Sequence, residues 1–196
     1  RFALSCDLKL MQQAGELARD TETFIQTHLS ENKGEIEAVK EAFPGFASYT
    51  ALYDYCGLLT DKTILAHCVH IGKDEHQLVE REHCSIAHCP TSNRFLKSGI
   101  MPLRQRVNDT GKIGLGTDVA GGYTLSMFNE MREALENAKM YQCFCDEDSG
   151  TLQPAEAFYL ATRGGAKALG REGLTGSLET GKQADFLVLD IDKADP

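Results

Sequence analysis

A histidine and a glutamate stand three residues apart near the beginning of the chain, in the stretch FIQTHLSEN. The apolar start of this stretch favours a buried strand, and His28 stands where that strand would end. An imidazole there can bind a metal ion through one ring nitrogen while a neighbour orients the other. Glu31 follows in the next loop, where a carboxylate can move a proton between an activated water and a substrate. Alone the pair is a weak signal, because a core histidine followed by a first-turn helix glutamate looks the same.

Three more side chains of this kind end apolar runs further along the chain. His67 ends the run TILAH, His88 ends SIAH, and Asp118 ends IGLGTD. Imidazole and carboxylate groups are ligands that suit zinc, and His67 could stabilise a developing oxyanion or contact the attacking water. Asp118 could instead cap a helix or form an Asx-turn, and His88 could be purely structural. The recurrence at four strand ends favours the functional interpretation.

The other histidines carry less information. His70, His76 and His83 fall on loop or helix positions, and we expect them to be surface residues. The cysteines do not form the pairs of a structural zinc site, and the H-x-E…P-C-x-x-C pattern of one class of nucleobase deaminases is absent. Phosphate-binding glycine loops are absent too.

Strand-like apolar runs recur at long intervals along the chain, and helical patterns separate them. The runs do not alternate cleanly between apolar and polar residues, which is typical of strands buried in a parallel sheet. Alternation of strands and helices predicts a parallel α/β architecture. The strand-like runs are 23–28, 62–70, 84–90 and 112–118, and the helical patterns are 33–43, 73–83, 102–109, 126–144 and 154–170.

This architecture would bring the chemically suggestive residues together. His28, His67, His88 and Asp118 all stand at carboxyl ends of predicted strands. The active site of a (β/α)₈ barrel lies at that face, and a doubly wound sheet binds ligands at the corresponding edge.

Two of the helical patterns carry further detail. Asn32 stands where the helix after the first strand would have its N-cap. The longest pattern places Met127, Met131, Leu135 and Ala138 on one stripe, which we expect to face the core.

The composition excludes several classes of protein. The chain has 196 residues and a net charge of −9 without a block of Lys or Arg, which argues against a nucleic-acid partner. No apolar stretch is long enough to span a membrane. The odd number of cysteines, seven, indicates reduced thiols, and we expect a cytoplasmic protein. There is neither a signal-peptide pattern nor an initiator methionine, and we expect the chain to be a segment of a longer protein.

The character of the chain changes after residue 172. A glycine-rich stretch is followed by an apolar run over 184–189, which we predict to be a strand. We therefore predict two units: a barrel part over 1–172 and the start of a small β side domain over 173–196.

Several motifs resemble those of the amidohydrolase superfamily. They are HLSE, LAHC, AHCPTSN, GLGTDVAGG and the tail GSLETGKQADFLVLD, and together they extend from about residue 24 to residue 190. Two finer features, RFALSC at the start and GTDVAGGY, are similar to the branch of this superfamily whose members deaminate guanine.

The resemblance implies a fold and a catalytic set. The chain would form the C-terminal half of a (β/α)₈ barrel and the start of a β-sandwich side domain. His28 and Asp118 would bind one zinc ion per subunit, and Asp118 would also orient the attacking water. Glu31 would be the proton shuttle, and His67 would contact the water or the substrate.

The resemblance also implies how the substrate is recognised. Arg1 would donate to the carbonyl and N7 of guanine, and Phe2 would stack on the purine ring. The substrate would further contact His28, Glu31 and Asp118. The products would be xanthine and ammonia, and we expect a homodimer with a small purine substrate and neither a nucleic-acid nor a membrane partner.

One feature of the superfamily is missing from this chain. The first barrel strand of the family carries a His-x-His pair, and no such pair occurs here. Two further histidine ligands are therefore expected upstream, and this segment alone is expected to be inactive. The alternatives are a related deaminase or chlorohydrolase acting on another purine or triazine-like ring, or a scaffold homologue without activity.

Overall fold

The core of the protein is a parallel sheet of four strands, described by a computed structural model that covers residues 2–190. The strands lie in chain order, each parallel to the next. They are β1 (Ile25–Leu29), β2 (Thr63–His67), β3 (Ser85–His88) and β4 (Ile113–Leu115). All four predicted strands are confirmed, and their carboxyl ends meet at one edge of the sheet.

Helices pack around this sheet and connect its strands. They are α1 (Leu8–Thr21), α2 (Lys33–Ala42), α3 (Tyr49–Tyr55), α4 (Lys73–Arg81), α5 (Pro90–Phe95), α6 (Leu103–Thr110), α7 (Met127–Phe144), α8 (Pro154–Tyr159) and α9 (Gly165–Ala168). A π-helical turn over Leu160–Gly164 joins the last two. The helices predicted over 33–43, 73–83, 102–109, 126–144 and 154–170 are therefore confirmed. None of those in residues 2–190 is long and apolar enough to cross a membrane.

The helices α1, α3 and α5 were not predicted, and the sequence carries a recognisable helix signal only for the first of them. Asp7 caps α1 by accepting a hydrogen bond from the Leu10 backbone at 2.7 Å, so the sequence does carry an ordinary N-cap signal for this helix. In contrast, α3 and α5 have only seven and six residues, which is too short for a helical repeat of apolar residues to be recognised. Helices of this length do not form alone in water, so both depend on packing, and the Ser48 side chain also caps α3.

The sheet is buried as the sequence predicted. Leu29, Leu65, Ile86 and Ile113 come from the four strands and are each at most 2% exposed. The π-helical turn and α9 pack closely on β4. A Cβ at Gly114 would lie 2.9 Å from the Cα of Gly165, so only glycine permits this approach.

The buried face of α7 differs from the prediction. Of the expected stripe only Ala138 is fully buried, and the buried positions are Glu130, Glu133, Ala134, Asn137 and Ala138. The face is polar because α7 packs against the polar helix α5. Thr91 donates both its backbone N–H and its hydroxyl to the carboxylate of Glu130. Apolar periodicity could not show this, because the stabilising contacts are hydrogen bonds to a distant segment.

The prediction of a strand over 184–189 is wrong, because the structure, which describes residues 2–190, has no strand there. That segment has no regular structure, and Phe186, Leu187 and Val188 are 61%, 81% and 86% exposed. A strand requires a hydrogen-bonded neighbour, and none lies beside this segment in the described part of the chain. The small β side domain therefore remains a prediction.

Candidate active site

Two histidines and an aspartate meet at the carboxyl edge of the sheet. The rings of His28 and His67 stack with centroids 4.9 Å apart and planes at 15°. Asp118 follows β4 and completes the group, and ligand atoms of the three residues all lie within 4.8 Å of one another. The predicted convergence at this edge is therefore found for these three residues, and His67 belongs to the same group of possible ligand atoms as the two predicted ligands.

Asn93 determines which nitrogen of His67 faces the site. The Asn93 amide oxygen lies 2.8 Å from Nδ1 of His67. Because this oxygen only accepts, Nδ1 carries the hydrogen, and Nε2 is the nitrogen that faces the site. Within residues 2–190 that Nε2 is buried without a hydrogen-bond partner, and it lies 3.7 Å from Glu31 Oε2 and 3.9 Å from Asp118 Oδ2. An imidazole nitrogen and two carboxylates that face one another are ligands that suit a divalent cation, so the donor set fits a metal ion.

Asp118 is held by a turn that only small residues permit. Its backbone has φ +45°, and Ser92 donates its hydroxyl to Oδ2 at 2.6 Å. A Cβ at Gly121 would lie 2.5 Å from that oxygen and would displace it, and a Cβ at Gly122 would lie 2.1 Å from the backbone oxygen of Thr117, so the turn requires glycine at 122. The helix-cap alternative for Asp118 is wrong, because Ser126 is the N-cap of the helix that follows.

Glu31 lies outside the helix that follows it. The N-cap of α2 is Asn32, and the capping box is completed by Glu35, whose carboxylate accepts from the backbone of Glu31 at 2.7 Å. The N-cap prediction is confirmed, and the first-turn helix interpretation of Glu31 is wrong. Glu31 instead extends to the site, where Oε1 accepts a hydrogen bond from the Ser98 hydroxyl at 2.7 Å.

The beginning of the chain lies against the same edge. The ring of Phe2 meets that of His28 edge-on, with centroids 5.9 Å apart. Tyr53 anchors this segment, since its hydroxyl accepts from Ala3 N and donates to the carbonyl of His28. Arg1, the predicted guanine-reading residue, lies outside the described residues.

His88 has no role that the geometry assigns. Its side chain is 1% exposed, and neither ring nitrogen has a hydrogen-bond partner in the described structure. Burial, followed by the nearby His67, lowers the pKa of His88 to about 3, so its ring is neutral at neutral pH. It does not belong to the cluster of ligand atoms found within residues 2–190.

The sequence analysis missed the polar residues that hold the site. Ser92 and Asn93 lie in α5, which begins two residues after the end of β3, and Ser98 follows that helix. The signal was the polar run PTSN immediately after a buried strand, within a motif already noted for its resemblance. Composition alone could not show which side chains they contact.

The comparisons with known proteins decide the family. Residues 1–196 match the Amidohydrolase family. The chain belongs to the amidohydrolase family. Among family members, it is 41% identical over 196 residues to human guanine deaminase and 42% identical over 191 residues to a probable guanine deaminase of Schizosaccharomyces pombe. These matches cover 100% and 97% of this chain, but 43% and 36% of the relatives, so the chain spans less than half of their length.

A solved structure of the same family has a similar fold. The guanine deaminase of C. acetobutylicum, with guanine bound in its active site, matches with a TM-score of 0.87 and 38% identity. The match covers 92% of this chain and 43% of that chain. The predicted α/β class with a parallel sheet is confirmed.

Proposed function

We propose that this chain is part of an enzyme that hydrolyses guanine to xanthine and ammonia. The observation that carries the proposal is the convergence of His28, His67 and Asp118 within 4.8 Å, with the Glu31 carboxylate 3.7 Å from His67. The similarity to guanine deaminases over 97–100% of this chain supports guanine as the substrate. In this reaction a C–O bond forms at C2 of the purine and the bond from C2 to the exocyclic nitrogen breaks.

The metal ion is proposed to be zinc. His28 and Asp118 would hold one zinc ion per subunit. Two further histidine ligands are expected upstream of this segment in the full-length protein. When bound, zinc lowers the pKa of a coordinated water toward neutrality. Nε2 of His67, on the ring that Asn93 orients, can contact the water or the substrate. Asp118 can orient the same water.

Glu31 is proposed to move the proton. Its Oε2 faces the site while Oε1 is held by Ser98, so one oxygen is free for proton transfer. The carboxylate takes a proton from the attacking water and gives it to a ring nitrogen of the purine. It then takes the proton of the new hydroxyl on C2 and gives it to the leaving amine, so that ammonia departs and C2 becomes a carbonyl. The side chain of Glu31 is 18% exposed, which leaves it in contact with the space a substrate would occupy.

The proposed architecture is the C-terminal half of a (β/α)₈ barrel over 1–172 and part of a β side domain over 173–196. Within the described residues, β1 and β4 each pair with one neighbour only. The other half of the barrel would cover these two edges. A cytoplasmic homodimer remains our expectation for the whole protein.

A panel of ring substrates tests the proposed function. The full-length protein should release ammonia from guanine far faster than from adenine or an amino-triazine. Release from another ring only would favour the related deaminase or chlorohydrolase, and no turnover of any ring by zinc-loaded protein would favour a scaffold.

Substrate choice is predicted to depend on Arg1. A buried hydrogen-bond donor that faces no acceptor costs about 1–3 kcal/mol of binding free energy. Adenine would present such a mismatch to Arg1, because it has an amine where guanine has O6. Arg1→Ala in the full-length enzyme should therefore lower kcat/KM for guanine and leave zinc content unchanged. Steady-state kinetics on both purines measures this. An unchanged kcat/KM for guanine would remove Arg1 as the residue that selects the base.

The isolated segment is predicted to be inactive. Residues 1–196 expressed alone would expose the unpaired edges of β1 and β4, which are templates for association. We expect aggregation or pairing with a complementary fragment, measured by size-exclusion chromatography with light scattering. A monomer that melts cooperatively and deaminates guanine would contradict the prediction.

A further inference from the structure

Glu31 is connected by hydrogen bonds to two other loops at the carboxyl edge of the sheet. We propose that Ser98 is a positioning residue that aims the Glu31 carboxylate, and that His70 holds Ser98 in place. This inference rests on the deaminase function proposed above and deepens it, because it identifies residues that set the geometry of proton transfer.

The first step is the contact between Ser98 and Glu31. The Ser98 hydroxyl lies 2.7 Å from Oε1 of Glu31, and it must donate because an ionised carboxylate only accepts. Ser98 is 7% exposed, so water does not compete freely for its hydroxyl. With Oε1 held, Oε2 is the oxygen that faces His67 Nε2, at 3.7 Å. The contact thus selects one orientation of a side chain that is otherwise rich in rotamers.

The second step is how Ser98 itself is held. Its backbone N–H donates to the Asn93 carbonyl at 2.8 Å, which closes the turn after α5. Its carbonyl lies 2.7 Å from Nε2 of His70, and this nitrogen must carry the hydrogen because a carbonyl only accepts. The His70 backbone N–H in turn donates to the carbonyl of Ser30, the residue before Glu31, at 3.1 Å. The loops after β1, β2 and β3 are therefore connected at one point.

Gly99 is what allows His70 to reach this position. Its φ is +139°, and a Cβ there would lie 2.8 Å from His70 Nε2. The sequence analysis expected His70 and His76 on the surface. His76 is instead 4% exposed, and the His70 ring is half-buried with its hydrogen bond directed at the site loop.

The same short segment holds the other groups of the site. Ser92 donates to Asp118 and Asn93 accepts from His67, while Ser98 donates to Glu31. One loop and helix over 90–98 therefore orients three side chains that stand at the carboxyl ends of three different strands, His67 as the last residue of β2 and the other two in the loops after β1 and β4. A misplacement of about 1 Å in such a group can cost about 10²-fold in rate, so loss of one contact should be visible in kcat.

The test compares variants of the full-length enzyme that differ in one hydroxyl. Ser98→Thr and Ser98→Val have the same shape, and only Thr keeps the donor. We expect Ser98→Val and Ser98→Ala to lower kcat for guanine by roughly 10- to 100-fold, with KM and zinc content near wild type. Ser98→Thr should recover most of the loss. The control is Ser85→Ala, because Ser85 is fully buried at the start of β3 with no hydrogen-bond partner for its hydroxyl in the described structure.

A double-mutant cycle shows whether Ser98 acts through Glu31. If it does, Ser98→Ala in the Glu31→Gln background should cause little further loss of kcat, since the group it aims no longer transfers protons. His70→Ala should reproduce part of the Ser98→Ala loss, and His70→Gln, which keeps a donor, should recover it. Melting temperatures separate these effects from unfolding, and the His70 pair provides the test if Ser98→Ala does not fold.

The outcomes distinguish this inference from the proposed function. A wild-type enzyme that does not deaminate guanine overturns the proposed function, and the inference falls with it. An active wild type whose Ser98→Val and Ser98→Thr variants have equal kcat overturns the inference alone. The same holds if Ser98→Ala lowers kcat by the same factor with and without Glu31→Gln.

Discussion

Glu31→Gln in the full-length enzyme is expected to lower kcat for guanine by about 10²–10⁴-fold, the range of general acid–base catalysis. The carboxamide keeps the shape of the side chain, and its oxygen can still accept from Ser98. Zinc content and substrate affinity should therefore stay near wild type. Steady-state kinetics and metal analysis of the same preparation measure both quantities.

A glutamate from the neighbouring helix provides the control for this substitution. Glu41 is an exposed residue of α2, and Glu41→Gln removes the same charge without touching the site. Its kcat should match that of the wild type. If Glu31→Gln also turns over guanine at the wild-type rate, Glu31 has no part in proton transfer.

Asp118→Asn is expected to act on the metal ion. The amide oxygen can still accept from Ser92, so the turn should be retained while the negative charge is lost. Losing an outer partner of a metal ligand typically costs about 10–100-fold in metal affinity, and losing a ligand should cost more. Zinc content after dialysis should fall, and kcat should fall with it and recover in part when zinc is added back.

A second ligand and a distant aspartate extend this test. His28→Ala should lower zinc content as Asp118→Asn does, whereas the exposed Asp20→Asn should leave it unchanged. Zinc retained at the wild-type level in both site variants would contradict the assignment of His28 and Asp118 as ligands. Glu31→Gln should lose turnover and keep zinc, whereas the variants of His28 and Asp118 should lose zinc. The comparison therefore distinguishes the metal ligands from the residue that transfers the proton.

The order of strands and helices could be predicted from the sequence because it depends on local patterns. Apolar runs separated by helical periods are sufficient to predict β1 to β4, and Asn32 was recognised as an N-cap from the residues beside it. Parallel strands place their carboxyl ends at one edge, so the meeting of His28, His67 and Asp118 followed from the architecture alone.

Other features of the fold depended on contacts that periodicity does not report. The polar face of α7 is buried because Glu130 accepts hydrogen bonds from Thr91, 39 residues earlier in the chain. The apolar run over 184–189 has strand composition, but composition supplies no hydrogen-bond partner. Both errors have the same cause, since a segment's structure depends on the neighbour it meets.

The sequence by itself determined the class of chemistry: imidazoles and carboxylates at the ends of buried strands, with a glutamate three residues after the first. Only the tertiary structure decided which atoms face each other. Asn93 selects the His67 nitrogen that faces the site, Ser98 selects the Glu31 oxygen that faces it, and His70 connects their loops. The Ser98 and Glu31 side chains are separated by 67 positions in the chain, and a hydrogen bond requires an approach of about 3 Å that only the folded backbone brings about.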